Sequence, residues 1–283
     1  MPGRLIICPT PIGNLGDMTL RALEELRAAD VVCAEDTRVT GKLLAHFGIE
    51  KRLERLDEAT ITRQAEHVAQ RVAAGEAIAF CSDAGMPGVS DPGARLIEAA
   101  QREGCDVVVL PGASAASTAY VASGFNNPRY YFGGFFPRKE GERRAVLEGL
   151  AVLDAVLVFY ESPRRIADAL AVVAQVLPHR EVAVCRELTK LHEEVFRAAA
   201  PAAAAEFACR DAEGGVRGEI ALVIGPPTQA EEQAAAQDAT ASAAERAAAL
   251  LAAGELSKKD IVRALRDEFG ISRNEAYELV HGA

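Results

Sequence analysis

The chain has 283 residues, a formal net charge of −10, 49% hydrophobic residues and 25% charged residues. That is the balance of a soluble globular protein of about two domains. No apolar run reaches the roughly 18 residues of a membrane span, and the acidic balance argues mildly against a nucleic-acid partner unless local charge overrides it.

Arg4 to Cys8 reads as a first strand, and its apolar core is too short for a signal peptide. The loop PTPIGNLGDMT follows, and Leu20, Leu23 and Leu26 mark a helix face with Asp17 or Thr19 as N-cap. The loop has neither the G-x-G-x-x-G spacing of a dinucleotide fold nor the Lys-Ser/Thr of a P-loop. Asp30 to Ala34 is a second strand ending in EDTR, Glu35 to Arg38. Acidic residues there suit either a helix N-terminus or a substrate. Thr60 to Ala74 is an amphipathic helix.

Ala77 to Cys81 is the next strand, and CSDAGMPGVSDPG, Cys81 to Gly93, leads from it to a helix near Ala94. A strand-to-helix turn needs only two to six residues, whereas this one uses about ten and is stiffened by glycines and prolines. It reads as a rigid ligand loop at a strand's carboxyl end, where open α/β sheets bind ligands. Asp106 to Leu110 is another strand, ending in PGASAAS, whose small residues allow close approach to the backbone. The alternation through residue 122 predicts a parallel sheet with helices on both faces.

GFNNPRYYFGGFFPRKEGERR, Gly124 to Arg144, breaks the rhythm. Tyr130 to Phe136 reads as a strand, and Arg138, Lys139, Arg143 and Arg144 form a basic cluster beside aromatics. Single-stranded nucleic acid asks for that pairing, although strand core plus a solvated helix start would leave the same pattern. Strands follow at Ala155 to Tyr160, ending in ESPRR, at Glu181 to Cys185, ending in RELTKLHEE, and at Glu219 to Ile224. Residues 225 to 241 read as a linker. Three short helices of about 12 residues each are expected from Ser242, with Gly270 as the turn of a helix-turn-helix unit. Lys258, Lys259, Arg263, Arg266 and Arg273 make this tail locally basic. The six cysteines and five histidines are scattered, so they suggest buried thiols in a reducing compartment, not disulfides, and no metal site.

The ordered set TPIGNLGD, EDTR, SDAGMPGVSDPG, PGASA, GGFFPRK, ESPRRI and RELTKLHEE resembles the small-subunit ribosomal RNA methyltransferase I family of the tetrapyrrole methylase superfamily, over residues 4 to about 225. The tail is similar, more weakly, to the helix-turn-helix domain such enzymes carry. The resemblance implies a two-domain α/β tetrapyrrole methylase fold with a C-terminal helical appendage. The expected divisions are 1–124, 125–228 and 242–283. It also implies a cytoplasmic homodimer that uses S-adenosylmethionine to methylate the 2′-oxygen of a cytidine in small-subunit ribosomal RNA, free or in the assembled subunit, with no metal and no membrane.

By the same resemblance Pro11, Ser82, Asp83, Ala84, Gly85, Met86, Pro87, Ala113, Ser114 and Ala115 contact the cofactor. Methyl transfer from a sulfonium is an in-line displacement, so alignment supplies much of the rate. A ribose hydroxyl is a weak acid and wants a base or a charge beside it. The strand-end candidates are Asp36, Glu161, Glu187 and Lys190. Arg38, Arg138, Lys139, Arg143, Arg144, Lys258, Lys259 and Arg273 are the candidates for RNA phosphate. Two other classes stay open: a methylase of a small substrate or protein side chain, and a DNA-binding regulator with the α/β part as ligand sensor.

Overall fold

The computed structural model describes residues 3–254 and 256–282. The first half is a parallel sheet wrapped by helices. Its strands are β1 (Arg4–Ile7), β2 (Val31–Ala34), β3 (Arg52–Arg55), β4 (Ala77–Cys81) and β5 (Asp106–Val109), in the order β3-β2-β4-β1-β5. Side chains alternate across the pleat. Leu5, Ile7, Ile78 and Phe80 therefore face α3 (Glu58–Ala73) and α4 (Gly93–Arg102). Ile6, Cys8, Ala79 and Cys81 face the other way, toward Leu23 and Leu26 of α1 (Leu20–Ala28) and Leu44 of α2 (Thr37–His46). Both faces are dry, which is why these strands are continuously apolar in sequence. Thr19 is the side-chain N-cap of α1.

The second sheet has the order β6-β7-β10-β8-β9, from β6 (Tyr130–Phe135), β7 (Val156–Glu161), β8 (Glu181–Arg186), β9 (Glu194–Ala199) and β10 (Ile220–Ile224). The β6–β7 pair is parallel and the other three pairs are antiparallel. The second sheet is therefore mixed, unlike the all-parallel first one. One face packs on α6 (Glu140–Leu150), α7 (Ile166–Val176) and α8 (Ala200–Ala212). The other face carries Val156, Val158, Ala183, Cys185, Ala221 and Val223. It packs on Ile12 and on Ala116 and Ala119 of α5 (Ala115–Ser123), so one core joins the two halves.

Strands β3 and β9 were not expected. β3 is RLER, an edge strand without a fully buried residue, and β9 alternates half-buried and exposed. The linker expected at 225–241 is corrected. Those residues enter α9 (Gln229–Ala253), 25 residues long, which opens on a capping box between Thr228 and Glu231. Alanine, glutamine and glutamate are strong helix formers, so the composition that resembles a linker equally supports a long helix. The tail is completed by α10 (Lys258–Phe269) and α11 (Arg273–His281), joined at Gly270, whose φ is +67°. Ala243, Ala247, Ile261, Leu265, Ile271, Ala276 and Val280 form its own small core. Among the described residues no helix is long and apolar enough to cross a membrane.

Candidate active site

The carboxyl-end loops of the first sheet meet the second sheet around a cleft of about 450 Å³. One wall comes from the first half: Ile12, Glu35, the 82–86 loop, Val89, Ser90, Asp91, Ser114 and Ala115. The opposite wall holds Phe135, Tyr160, the ESPRR segment at Glu161, Ser162, Pro163 and Arg165, then Cys185, Leu188 and residues 218–221.

The glycine-rich loop is fastened to the first loop. Thr10 and Gly85 exchange two backbone hydrogen bonds of 3.0 Å, and Thr10 Oγ1 donates to the Ser82 carbonyl at 3.1 Å. Gly85 has φ +81°, and a Cβ there would lie 3.3 Å from Ile12 Cγ2. That combination of strain and contact is why glycine holds the position. Asp91 accepts from the Gly88 and Gly93 amides at 2.7 and 2.8 Å, closing the far end of the loop on α4.

Among the described residues three non-glycine positions have positive φ: Ser90 at 63°, Glu187 at 53° and Thr189 at 67°. Ser90 lines the cleft, and the other two flank Leu188, which also lines it. Such residues cost energy to hold and gather at functional sites.

Ser82, Asp83, Ala84, Gly85, Met86, Ser114 and Ala115 all line the cleft. Pro11, Pro87 and Ala113 are each one residue outside the lining, beside Ile12, Met86 and Ser114. Of EDTR, the residue on the cleft is Glu35 and not Asp36. Asp36 caps α2 by accepting from the Arg38 amide at 2.8 Å, and it pairs with the Arg38 guanidinium at 2.5 Å. The Arg38 hydrogen bonds hold the Asp36 carboxyl far below the usual carboxylate range. Glu35 is shifted the other way: burial, then the neighbouring Asp83 charge, raise its pKa.

Glu187 and Lys190 stand just behind the cleft as a pair at 2.9 Å, and Lys190 also reaches Glu219 at 2.9 Å. The Lys190 hydrogen bond pulls Glu187 down. Burial opposes the charge on Lys190, but its two carboxylate partners outweigh it and its pKa is raised. Neither group is tuned to accept a proton near neutrality. Their loop lies against the first half, since a Cβ on Gly13 would be 2.5 Å from Lys190 Cγ.

Glu161 lines the cleft with its carboxylate fully occupied. It accepts from the Ser162 amide at 2.6 Å, pairs with Arg165 at 2.5 Å, and pairs with Arg143 at 3.2 Å. Arg143 is the clearest correction to the basic cluster. It is 3% exposed, and its Nε donates to the Pro137 carbonyl at 2.7 Å. A guanidinium placed there serves the interior and cannot reach RNA phosphate. Arg138 and Lys139 are exposed, Lys139 pairing with Glu142 at 2.8 Å, and Arg144 is half-buried against Gln175. Lys258, Lys259 and Arg273 are exposed in the tail and are not among the residues that line the cleft.

Sequence reasoning missed Glu35, Ser90, Asp91, Phe135, Tyr160 and Arg165 as lining residues. All but Tyr160 stand inside motifs that were singled out, one or a few positions from the residues chosen, and Tyr160 directly precedes ESPRR. Among the described residues no group of three or more His, Cys, Asp or Glu is placed to hold a metal ion.

A family model, Tetrapyrrole (Corrin/Porphyrin) Methylases, matches residues 4–204. The chain is 38% identical to the ribosomal RNA small subunit methyltransferase I of Halalkalibacterium halodurans, over 99% of this chain and 95% of that protein. It is 39% identical to the protein of that name in Escherichia coli O157:H7, over 98% and 94%. Among solved structures it is similar in fold to a diphthine synthase, with a TM-score of 0.62 at 16% identity, over 81% of this chain and 92% of that one.

Proposed function

The chain belongs to the tetrapyrrole methylase family and is a methyltransferase; on that premise we propose that it methylates the 2′-hydroxyl of a cytidine in small-subunit ribosomal RNA, using S-adenosylmethionine. The observation that carries this reading is that motifs far apart in the chain, SDAGMPGVSDPG, PGASA and ESPRR, contribute side chains to one cleft. The relatives' shared name supplies the RNA class.

The lining fits the cofactor. Glu35, Asp83 and Asp91 give one wall the negative charge that suits a sulfonium and an ammonium. The 82–86 loop, Ser114 and Ala115 would hold the cofactor, with Ile12, Tyr160, Leu188 and Ala221 excluding water from it. When bound, S-adenosylmethionine supplies an electrophilic methyl group on sulfur. The chain's own task is to align a ribose oxygen and take its proton. In this reading Glu35 is the proton acceptor, since its raised pKa and place on the cleft suit a base better than Asp36, Glu161 or Glu187.

Residues 1–124 thus carry the cofactor loops and 125–228 the opposing wall. The tail from 242 to 283 and the Arg138–Lys139 pair hold RNA phosphates. Lys258, Lys259 and Arg273 fall in the first turns of α10 and α11. Cations there oppose the helix dipole, so they do not stabilise those helices, which fits a role toward an outside anion. The enzyme acts as a homodimer in the cytoplasm, where its substrate is assembled. The test is incubation with methyl-labelled S-adenosylmethionine and either free RNA or small subunits, followed by nucleoside analysis. Label in 2′-O-methylcytidine is expected; label on a base or on protein overturns the reading.

A further inference from the structure

The charge of the cleft is lopsided. Five carboxylates line it, and Arg165 is the one basic residue among the described lining residues. A phosphate or carboxylate brought into such a space is repelled unless a cation is placed to receive it. The acids are largely committed to neighbours: Asp83 Oδ1 takes the Asp36 amide, Asp91 takes two glycine amides, and Glu219 pairs with Lys190. Arg165 is committed on one side only. Its Nη2 meets Glu161 at 2.5 Å, while its Nε is buried without a hydrogen-bond partner among the described residues.

The simplest structural role for Arg165 is counterion to Glu161, and charge balance argues that this is incomplete. Arg143, 3% exposed, already neutralises Glu161, which has no exposed side-chain surface. Adding Arg165 leaves the trio with one excess positive charge. The member of the trio that still reaches water is Arg165, at 26% side-chain exposure, and it lies on the cleft. Arg165 also opens α7, a helix of 11 residues, as an N-cap without a side-chain hydrogen bond. The helix dipole there adds to the same positive end.

We propose that Arg165 is the oxyanion anchor of the cleft, with Glu161 and Arg143 as positioning residues that hold its guanidinium in place. The ligand group is an oxyanion matched to the planar fork of arginine. Two sources of it fit the proposed function on which this inference rests: the phosphodiester next to the target ribose, and the carboxylate of S-adenosylmethionine. A guanidinium fixed by a buried carboxylate is pre-organised, so it loses little freedom when the anion arrives.

Full-length Arg165→Lys and Arg165→Gln separate these cases. Lysine keeps the charge and the pairing with Glu161 but lacks the fork, and glutamine removes the charge. Calorimetric titration with S-adenosylmethionine alone is one arm. KM and kcat for small-subunit RNA at saturating cofactor is the other, and thermal melts check the fold. At least a tenfold loss is expected in one arm for Arg165→Gln, with a smaller loss for Arg165→Lys. A raised RNA KM with unchanged cofactor affinity assigns the phosphate. Weakened cofactor binding with unchanged RNA KM assigns the carboxylate. Folded variants within about twofold of wild type in both arms overturn the anchor, as does equal loss in both arms together with a lowered melting temperature. If the glutamine variant does not fold, the lysine variant decides by the same criteria. Wild-type protein that binds cofactor but modifies no RNA sinks the proposed function instead, and the cofactor arm then decides Arg165 by itself.

Discussion

Arg143 and Glu161 form an ion pair at 3.2 Å with almost no exposed side-chain surface on either residue. Breaking a buried pair by removing one partner leaves an uncompensated charge, at a cost of about 3–5 kcal/mol. Arg143→Met should fall near the lower end of that range, because Arg165 stays beside the carboxylate. Arg144→Ala, whose guanidinium bonds to Gln175 at the surface, should cost under about 1 kcal/mol. Denaturant midpoints for the two variants give the comparison. Equal, small shifts would return Arg143 to the exposed basic cluster.

Gly85 ties the cofactor loop to the first loop through its two bonds to Thr10. Valine at φ +81° is strained by about 1–3 kcal/mol, and its branches would enter the space between Ile12 and Ala113. Gly85→Val should weaken S-adenosylmethionine binding at least tenfold, about 1.4 kcal/mol, and lower the melting temperature as well. Unchanged affinity in a calorimetric titration would take the cofactor away from this loop.

Much of this site was legible because its loops follow strands that the sequence marks plainly. The runs at Leu5 to Cys8 and Ala77 to Cys81 are apolar on both faces, so the polar stretches behind them had to lie at one sheet edge. Parity was harder to read. Nothing in EDTR says whether Glu35 or Asp36 turns to the cleft, since that depends on which residue leaves the strand to cap α2. The burial of Arg143 had a signal: it stands four residues before Leu147, the other buried residue of α6, and helical spacing places the two on one face. Charge composition hid it. In α9 the T-x-x-E capping box at 228–231 was present in a segment whose composition suggested a linker.

Glu35 offers a pH test. Its folded pKa is raised above the ordinary value of 4.5, first by burial and then by Asp83. Between the unfolded and folded values the folded protein therefore holds a proton there that the unfolded chain has released. This contribution to stability is full below the unfolded value and is lost as pH rises through the folded one. Glu35→Gln should flatten that loss in denaturation midpoints measured across pH. In the proposed role as proton acceptor, the same variant should lower kcat by about 10²–10⁴-fold. The acidic limb of the kcat profile should vanish with it. A variant that keeps both its kcat and that limb would assign the proton to another group.

The exposed basic pair makes a separate claim. With −10 on the whole chain, RNA must be drawn by local charge, and among the described residues Lys139 is held by a surface pair with Glu142 at 2.8 Å. Such pairs are weak and exchange easily for phosphate. Arg138→Ala combined with Lys139→Ala should lower the salt slope of RNA binding by about 1.4 in log–log units, at about 0.7 per contact for a single strand. Cofactor affinity should hold. Filter binding over a salt series measures the slope, and identical slopes would remove this segment from the RNA path.

The tail can be cut at two places with different consequences. Arg180 has no exposed surface; it donates to the Gly225 carbonyl at 3.3 Å and to the Ala151 carbonyl, and its Nε lies 3.4 Å from Glu231 in the first turn of α9. Ending the chain after Thr240 keeps Glu231 and removes the whole apolar core of the three-helix tail. That protein should fold and bind S-adenosylmethionine as the full chain does. It should bind RNA more weakly, because Lys258, Lys259 and Arg273 are gone. Ending the chain after Pro227 also removes Glu231 and leaves the buried guanidinium without its carboxylate, which should cost up to about 3 kcal/mol. Glu231→Gln in the full chain should reproduce part of that loss without touching RNA affinity. Thermal melts and filter binding on the three proteins separate the effects. Equal stability of the two truncations would show that α9 does not support the body of the enzyme, and full RNA affinity after either cut would release the tail from the RNA path.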